Sequence, residues 1–201
     1  MRSLLIILIL LTVAACTPDI IKGAGKIEPP APVSINPYFS DFKKDYVYHA
    51  RIVTPRVTFS GILAVKRTGE DKHRIVFTSG FGNKIFDFAL EREVFTVNYI
   101  AEGLDKMFIL RLLQNDFRTL VQIENPAVAA FTAAEEVIYR SPADKRNNFY
   151  RFRADTLRYI TQTRRAKEKL TVEFSEVGAD FARKISIRHR GVDLKIDLEA
   201  L

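Results

Sequence analysis

Apolar and polar residues alternate with period two along most of the chain beyond position 46. In His73–Ser79, Ile75 and Phe77 fall on one face, and in Lys84–Leu90, Phe86, Phe88 and Leu90 do the same. Such alternation marks a strand with one buried side. The turn between these two strands is Gly80-Phe81-Gly82-Asn83. Tyr46–Val53 alternates Tyr46, Tyr48, Ala50 and Ile52 against His49 and Arg51. Val94–Ile100 sets Phe95, Val97 and Tyr99 against Thr96 and Asn98. Val57–Arg67 is apolar on both faces, with Val57, Phe59, Leu63 and Val65 on one and Ile62 and Ala64 on the other. Two apolar faces imply cover on each, as in a sheet curled around its own contents. Short turns at Thr68-Gly69-Glu70-Asp71 and Glu91-Arg92-Glu93 complete a five-strand antiparallel meander.

The period then changes. Asp105–Gln122 places apolar residues at 109, 110, 113, 117, 120 and 121, a helical spacing with Asp105 as its cap. Met107, Phe108 and Leu112 widen the apolar stripe, so more than one side of this helix should be covered. A broad amphipathic helix among strands is expected to lie across the concave face of the sheet. Asn125-Pro126 suggests a short second helix over Ala127–Ala134. Six further strands are expected at Glu136–Arg140, Phe149–Ala154, Leu157–Thr163, Lys169–Phe174, Phe181–His189 and Val192–Leu198. The reading is therefore mainly β: about eleven strands in an unclosed antiparallel sheet, with one long helix and short helices over it.

The amino-terminal part has a different texture. Arg2, the apolar run Leu4–Val13 and the small residues before Cys16 form an export signal over residues 1–15, too short to span a bilayer. Val13-Ala14-Ala15-Cys16 resembles a bacterial lipobox, which makes Cys16 a lipidated first residue of the mature chain. Cys16 is the only cysteine, so it has no partner for an internal disulfide in an oxidising compartment. Residues 16–45, rich in Pro and Gly, read as a tether, with a brief helical turn capped at Asn36-Pro37 and running through Lys44. Residues 46–201 read as a single domain.

Removing residues 1–15 takes away one arginine and lowers the formal charge from +7 to +6. An exported, lipid-anchored chain rarely meets nucleic acid, so this balance reads first as a soluble, mixed-charge surface, with a mild preference for anionic headgroups as the alternative. His49, His73 and His189 lie far apart and read as strand-surface or edge residues; no metal spacing, nucleophile elbow or phosphate loop occurs. Asp87 lies between Phe86 and Phe88 but on the opposite face, which reads as solvated. No enzyme activity, cofactor or metal is expected. Fifteen Phe and seven Tyr with no Trp fit a roomy apolar interior or an ordinary filled core. Phe59, Phe77, Phe86, Phe88 and Tyr99 of the sheet are expected to face Leu110, Leu113 and Phe117 of the helix, as cavity wall or as core. Phe81, between two glycines, has no neighbour in sequence to shelter it. Its ring is expected either to project and meet a membrane or to tuck over the open end of the sheet.

Phe59-Ser60-Gly61-Ile62-Leu63-Ala64-Val65, followed by Arg74-Ile75-Val76-Phe77-Thr78-Ser79-Gly80-Phe81-Gly82, resembles the LolB family of outer-membrane lipoprotein receptors. The lipobox, the strand order and the midchain helix agree with it, in most detail from Tyr46 to Gln122. The resemblance implies an unclosed half-barrel whose apolar hollow is covered by helices. It also implies a monomer, anchored through Cys16 to the outer membrane and facing the periplasm, that takes acyl chains or lipoproteins from a periplasmic carrier protein. Phe81 then stands where the family exposes an apolar turn residue to the membrane. This chain departs from the family in lacking Trp in its first strands and in having glycine, not proline, before that turn residue. The alternative from another class is a structural or assembly lipoprotein with a filled core that binds a partner protein.

Overall fold

The computed structural model describes residues 17–29, 36–102 and 104–201. The expected export signal and Cys16 lie outside the described residues. The strands, in chain order, are β1 (Gly25–Ile27), β2 (Asp45–Val53), β3 (Thr58–Gly69), β4 (Lys72–Ser79), β5 (Lys84–Glu91) and β6 (Val94–Ile100). After the helix α1 (Met107–Val121) come β7 (Ala129–Ala133), β8 (Glu136–Ala143), β9 (Arg146–Arg153), β10 (Thr156–Arg164), β11 (Lys167–Val177), β12 (Ala182–His189) and β13 (Lys195–Ala200). All form one antiparallel sheet of 13 strands in the order β1-β7-β8-β9-β10-β11-β12-β13-β2-β3-β4-β5-β6. β1 and β6 are its free edges, so the sheet is an open half-barrel, with α1 packed on its concave face.

The period-2 pattern supplies the inner wall. Tyr46, Tyr48, Ala50 and Ile52 of β2 face inward beside Leu63 and Val65 of β3, Ile75 and Phe77 of β4, and Phe86, Phe88 and Leu90 of β5. The second half contributes Leu170, Val172, Phe174, Ile185, Ile187, Ile196 and Leu198 to the same core.

Two strands beyond the expected eleven come from stretches read differently in sequence. Residues 127–134 do not form a helix: Ala129–Ala133 is β7, paired with β8 on one side and β1 on the other. The alanines favour a helix locally, but Ala129 and Ala130 are buried in the sheet, and ladder pairing on both sides overrides that preference. Within the expected tether, Asp19–Ile21 makes a 3-10 turn and Gly25–Ile27 makes β1.

The domain thus begins before Tyr46. In place of a short helix, residues 36–44 form an arm that crosses one end of the half-barrel. The amide of Asn36 donates to the carbonyls of Leu120 (2.8 Å) and Gln122 (3.3 Å) at the end of α1. The Tyr38 hydroxyl donates to the Leu157 carbonyl at 2.7 Å, and its ring lies 4.6 Å from that of Phe174. Phe39, wholly buried at φ 62°, packs edge-on to Tyr46, and its carbonyl is 3.0 Å from Nε2 of His73.

The register sorts the hairpin turns into two ends. At one end lie the β2–β3, β4–β5, β8–β9, β10–β11 and β12–β13 turns, together with the start of α1. At the other lie the β3–β4, β5–β6, β7–β8, β9–β10 and β11–β12 turns and the arm. They are called the Phe81 end and the Tyr38 end below.

Candidate functional site

The aromatic wall of β4 and β5 meets α1 directly. The rings of Phe86 and Phe88 stack at 4.5 Å and 4°, and Phe117 of the helix lies 5.5 and 6.3 Å from them. Phe77, Phe86, Phe88, Leu113 and Phe117 are fully or almost fully buried, and Phe59 and Leu110 pack partly buried against them. In this conformation the residues expected to wall a hollow fill the space between sheet and helix. Tyr99 does not join them. A bulge between Asp87 and Phe88 turns Tyr99 to the outer face, where it is 45% exposed opposite Asp87. Met107 and Phe108 open the helix with more than half their surface exposed.

α1 starts at Met107 with Lys106 at the cap position, making no side-chain cap bond, instead of capping on Asp105. Polar contacts clasp the helix at its sides and far end. Besides Asn36, the Arg118 guanidinium donates to the Glu93 carboxylate (3.1 Å) and backbone carbonyl (2.7 Å). Oδ1 of Asp116, fully buried, lies 2.9 Å from Nε2 of His189. Nδ1 of His189 faces the Leu194 carbonyl at 2.9 Å and so carries a proton. Burial pushes the Asp116 carboxyl above its ordinary range, against the pull of His189. Burial lowers His189, but the bond and charge of Asp116 with the Leu194 carbonyl outweigh it, and the imidazole is raised. Neither His73 nor His189 is a surface side chain: both imidazoles are buried and hold one segment to another.

The concave face is not apolar throughout. Toward β8–β10, Gln162 bonds to Thr119 (3.2 Å) and Asn148 (2.9 Å), all three buried, and Arg146 donates to Gln162. A cleft of about 360 Å³ opens here beside α1, bordered by Arg111, Asn115 and Arg118 from the helix. Glu93 and Asp144 also border the cleft, so the inner face joins an apolar wall to a polar margin of mixed charge, a combination suited to an amphiphile. On the outer face, a groove of about 860 Å³ crosses β2, β3 and β11–β13 over His49, Arg51, Glu173, Lys184 and Asp197; its mixed charges suit a solvated surface.

Asp87 is buried, not solvated. Arg74 donates to both its oxygens (3.0 and 2.7 Å), with Asn98 at 3.2 Å and Lys84 at 3.4 Å. The Arg74 bond, with those of Asn98 and Lys84 and against the cost of burial, lowers its pKa to about 2. That is an ion-pair anchor for the β4–β5–β6 edge, with no poised proton.

Phe81 projects from the β4–β5 turn and is 96% exposed. The turn is closed by Ser79 N–H to the Asn83 carbonyl (2.8 Å) and Gly82 N–H to the Ser79 carbonyl (2.9 Å), with Gly82 at φ 82°. Next to it, Gly61 of β3 permits a close approach: a Cβ there would lie 1.8 Å from the Thr78 carbonyl oxygen.

Asp116 and the Gln162 cluster were not singled out in the sequence, where His189 was read as a strand-surface or edge residue and Asn36 as a helix cap. One signal was available: Asp116 interrupts the helix's apolar stripe between Leu113 and Leu120, where a charge needs a buried partner.

No protein-family model matches the chain, and no curated protein matches it. Among solved structures, the chain is similar to a LolA superfamily protein, NE2245, from Nitrosomonas europaea. The TM-score is 0.54 at 7% identity, over 86% of this chain and 92% of that one. A DUF1329 family protein from Desulfovibrio piger aligns at TM-score 0.45 and 8% identity, over 86% and 92% of the two chains. The half-barrel is of the LolA/LolB type.

Proposed function

We propose that this chain, with its LolA/LolB-type fold, is a lipid-anchored module that binds acyl chains or acylated proteins between α1 and the sheet. On this reading it helps to place them in the outer membrane. The observation that carries the reading is the continuous wall of Phe and aliphatic side chains on one face of an open sheet, closed by a single helix. Each CH₂ moved from water to such a wall is worth about 0.8 kcal/mol, so acyl chains bind it without covalent chemistry. With the wall filled in the closed form, α1 acts as the lid, and its clasps at Asn36, Asp116 and Arg118 set the cost of opening. Cys16 supplies the stable anchor, facing the periplasm, and a periplasmic carrier hands over the cargo. Phe81 touches the bilayer during delivery; burying its ring at the interface recovers about 1.5 to 3 kcal/mol, which supplements an anchor but does not replace one.

The test is transfer of a lipoprotein from a soluble carrier into liposomes with Phe81→Glu. The variant should keep the parent melting temperature and lose transfer. Full transfer by a fully stable variant contradicts the role of Phe81.

The filled interior also favours a second reading: an assembly lipoprotein that binds a partner protein and never opens. It predicts normal function when α1 is crosslinked to the sheet, whereas the acyl-binding reading predicts loss.

A further inference from the structure

The two ends of the half-barrel differ in charge, in closure and in where the chain leaves them. At the Tyr38 end the acids are largely neutralised within the fold: Asp71 pairs with Arg92, Glu93 with Arg118, Glu135 with Arg153 and Asp180 with Lys44. The arm carrying Tyr38 and Phe39 closes that end. At the Phe81 end the balance is positive: cations without a carboxylate partner outnumber the exposed acids Glu102, Asp105 and Asp144. Arg56, Lys145, Arg164, Arg165 and Lys167 are exposed on its turns, with no carboxylate or hydrogen-bond partner among the described residues. Lys106, at the cap of α1, adds a cation where the helix dipole is already positive. Exposed apolar side chains share this end: Phe81, Val57, and Met107 and Phe108 at the start of α1.

The chain also leaves the fold here. Pro18, Asp19 and Ile20 border a cleft with Thr161, Thr163, Ala166, Lys167 and Arg190, beside the β10–β11 turn. Cys16 is two residues before Pro18 in the sequence.

We infer that the Phe81 end is an anionic-membrane docking face, on which the cations of the β2–β3, β8–β9 and β10–β11 turns bind phosphate headgroups around the apolar tips. Resting on the proposed lipid anchor at Cys16, it fixes the orientation of the protein: half-barrel axis upright, Phe81 end on the bilayer, Tyr38 end facing away. Charge complementarity and the exit of the chain at the same end both point to the lipid surface as occupant. Basic residues near an anionic surface each strengthen binding roughly fivefold, and the attraction fades with salt.

The experiment uses the chain from residue 16 onward with Cys16→Ser, so that neither a covalent lipid nor the apolar export signal holds it to the membrane, and co-flotation with vesicles. It should bind phosphatidylcholine vesicles containing phosphatidylglycerol, and bind pure phosphatidylcholine vesicles far less. Arg164→Gln with Arg165→Gln should weaken anionic binding about 25-fold. Lys72→Gln with Arg92→Gln, at the Tyr38 end, should leave it unchanged. In this cysteine-free background, an environment-sensitive dye at Asn83→Cys should shift on anionic vesicles, and one at Asp155→Cys should not. Equal binding to both vesicle types, or equal loss from the two double variants, overturns the inference. Binding of a fluorescent fatty-acyl probe to the same samples separates the two claims. Probe binding without anionic preference removes only the docking face, whereas loss of probe binding in the parent removes the acyl-binding function itself.

Discussion

Nε2 of His189, on the last residue of β12, lies 2.9 Å from Oδ1 of Asp116 in the middle of α1, with both side chains buried. One proton is held between them, since Nδ1 is committed to the Leu194 carbonyl. The charge of Arg146 opposes protonation of the imidazole. The folded-state pKa of both groups is raised, so above the unfolded values the native protein holds more protons than the unfolded chain. The stability contributed by His189 is complete below about 6.5 and is lost as pH rises through its raised folded value. The midpoint of urea unfolding should therefore fall between slightly acidic and mildly alkaline pH, and His189→Gln should flatten that dependence. An unchanged slope in the variant would show that this pair does not titrate as a clasp.

Asp87 gives the opposite sign. Its pKa is lowered to about 2, so its contribution is present above the unfolded value near 3.9 and is lost as pH falls from about 4 to 2. Asp87→Asn should cost on the order of 1 to 2 kcal/mol at neutral pH, a figure reduced because Arg74 and Lys84 are half exposed. It should cost little at pH 2. Equilibrium denaturation at the two pH values measures the difference.

Phe88→Ala should lose about 3 to 5 kcal/mol, because the ring stacks on Phe86 and touches Phe95 and Phe117. Tyr99→Ala, on the outer face, should lose far less. Chemical denaturation of the two variants checks the assignment of faces; equal losses would place Tyr99 in the core.

Gly61→Ala should weaken the β3–β4 pairing beside the Phe81 turn, since its Cβ would overlap the Thr78 carbonyl. Faster amide exchange at Thr78, which pairs with Ile62 of β3, is the expected result, and unchanged exchange would show that the pairing accommodates the methyl group intact.

The inner wall was legible in the sequence because period-2 alternation records which side of a strand is dry. It located β2 to β6 and β8 to β13 within a few residues, and the helix with them. Misses occurred where local composition pointed away from tertiary context. The alanines of β7 favour a helix until β1 and β8 flank them, and the glycine of β1 reads as a linker until the strand finds its edge. Tyr99 was misplaced by a single bulge, which no alternation pattern announces. The clasps escaped notice because Asn36 and Leu120, or Asp116 and His189, are brought together only by the closed fold.

The most direct measurement of the acyl-binding claim is native mass spectrometry of the chain from residue 16 onward with Cys16→Ser, purified from cells without detergent. Any acyl mass it carries is then non-covalent. A population bearing lipid or lipopeptide, lost when α1 is crosslinked to the sheet before exposure to cargo, is the predicted result. Bare protein that also fails to take up a fatty-acyl probe in titration would contradict it.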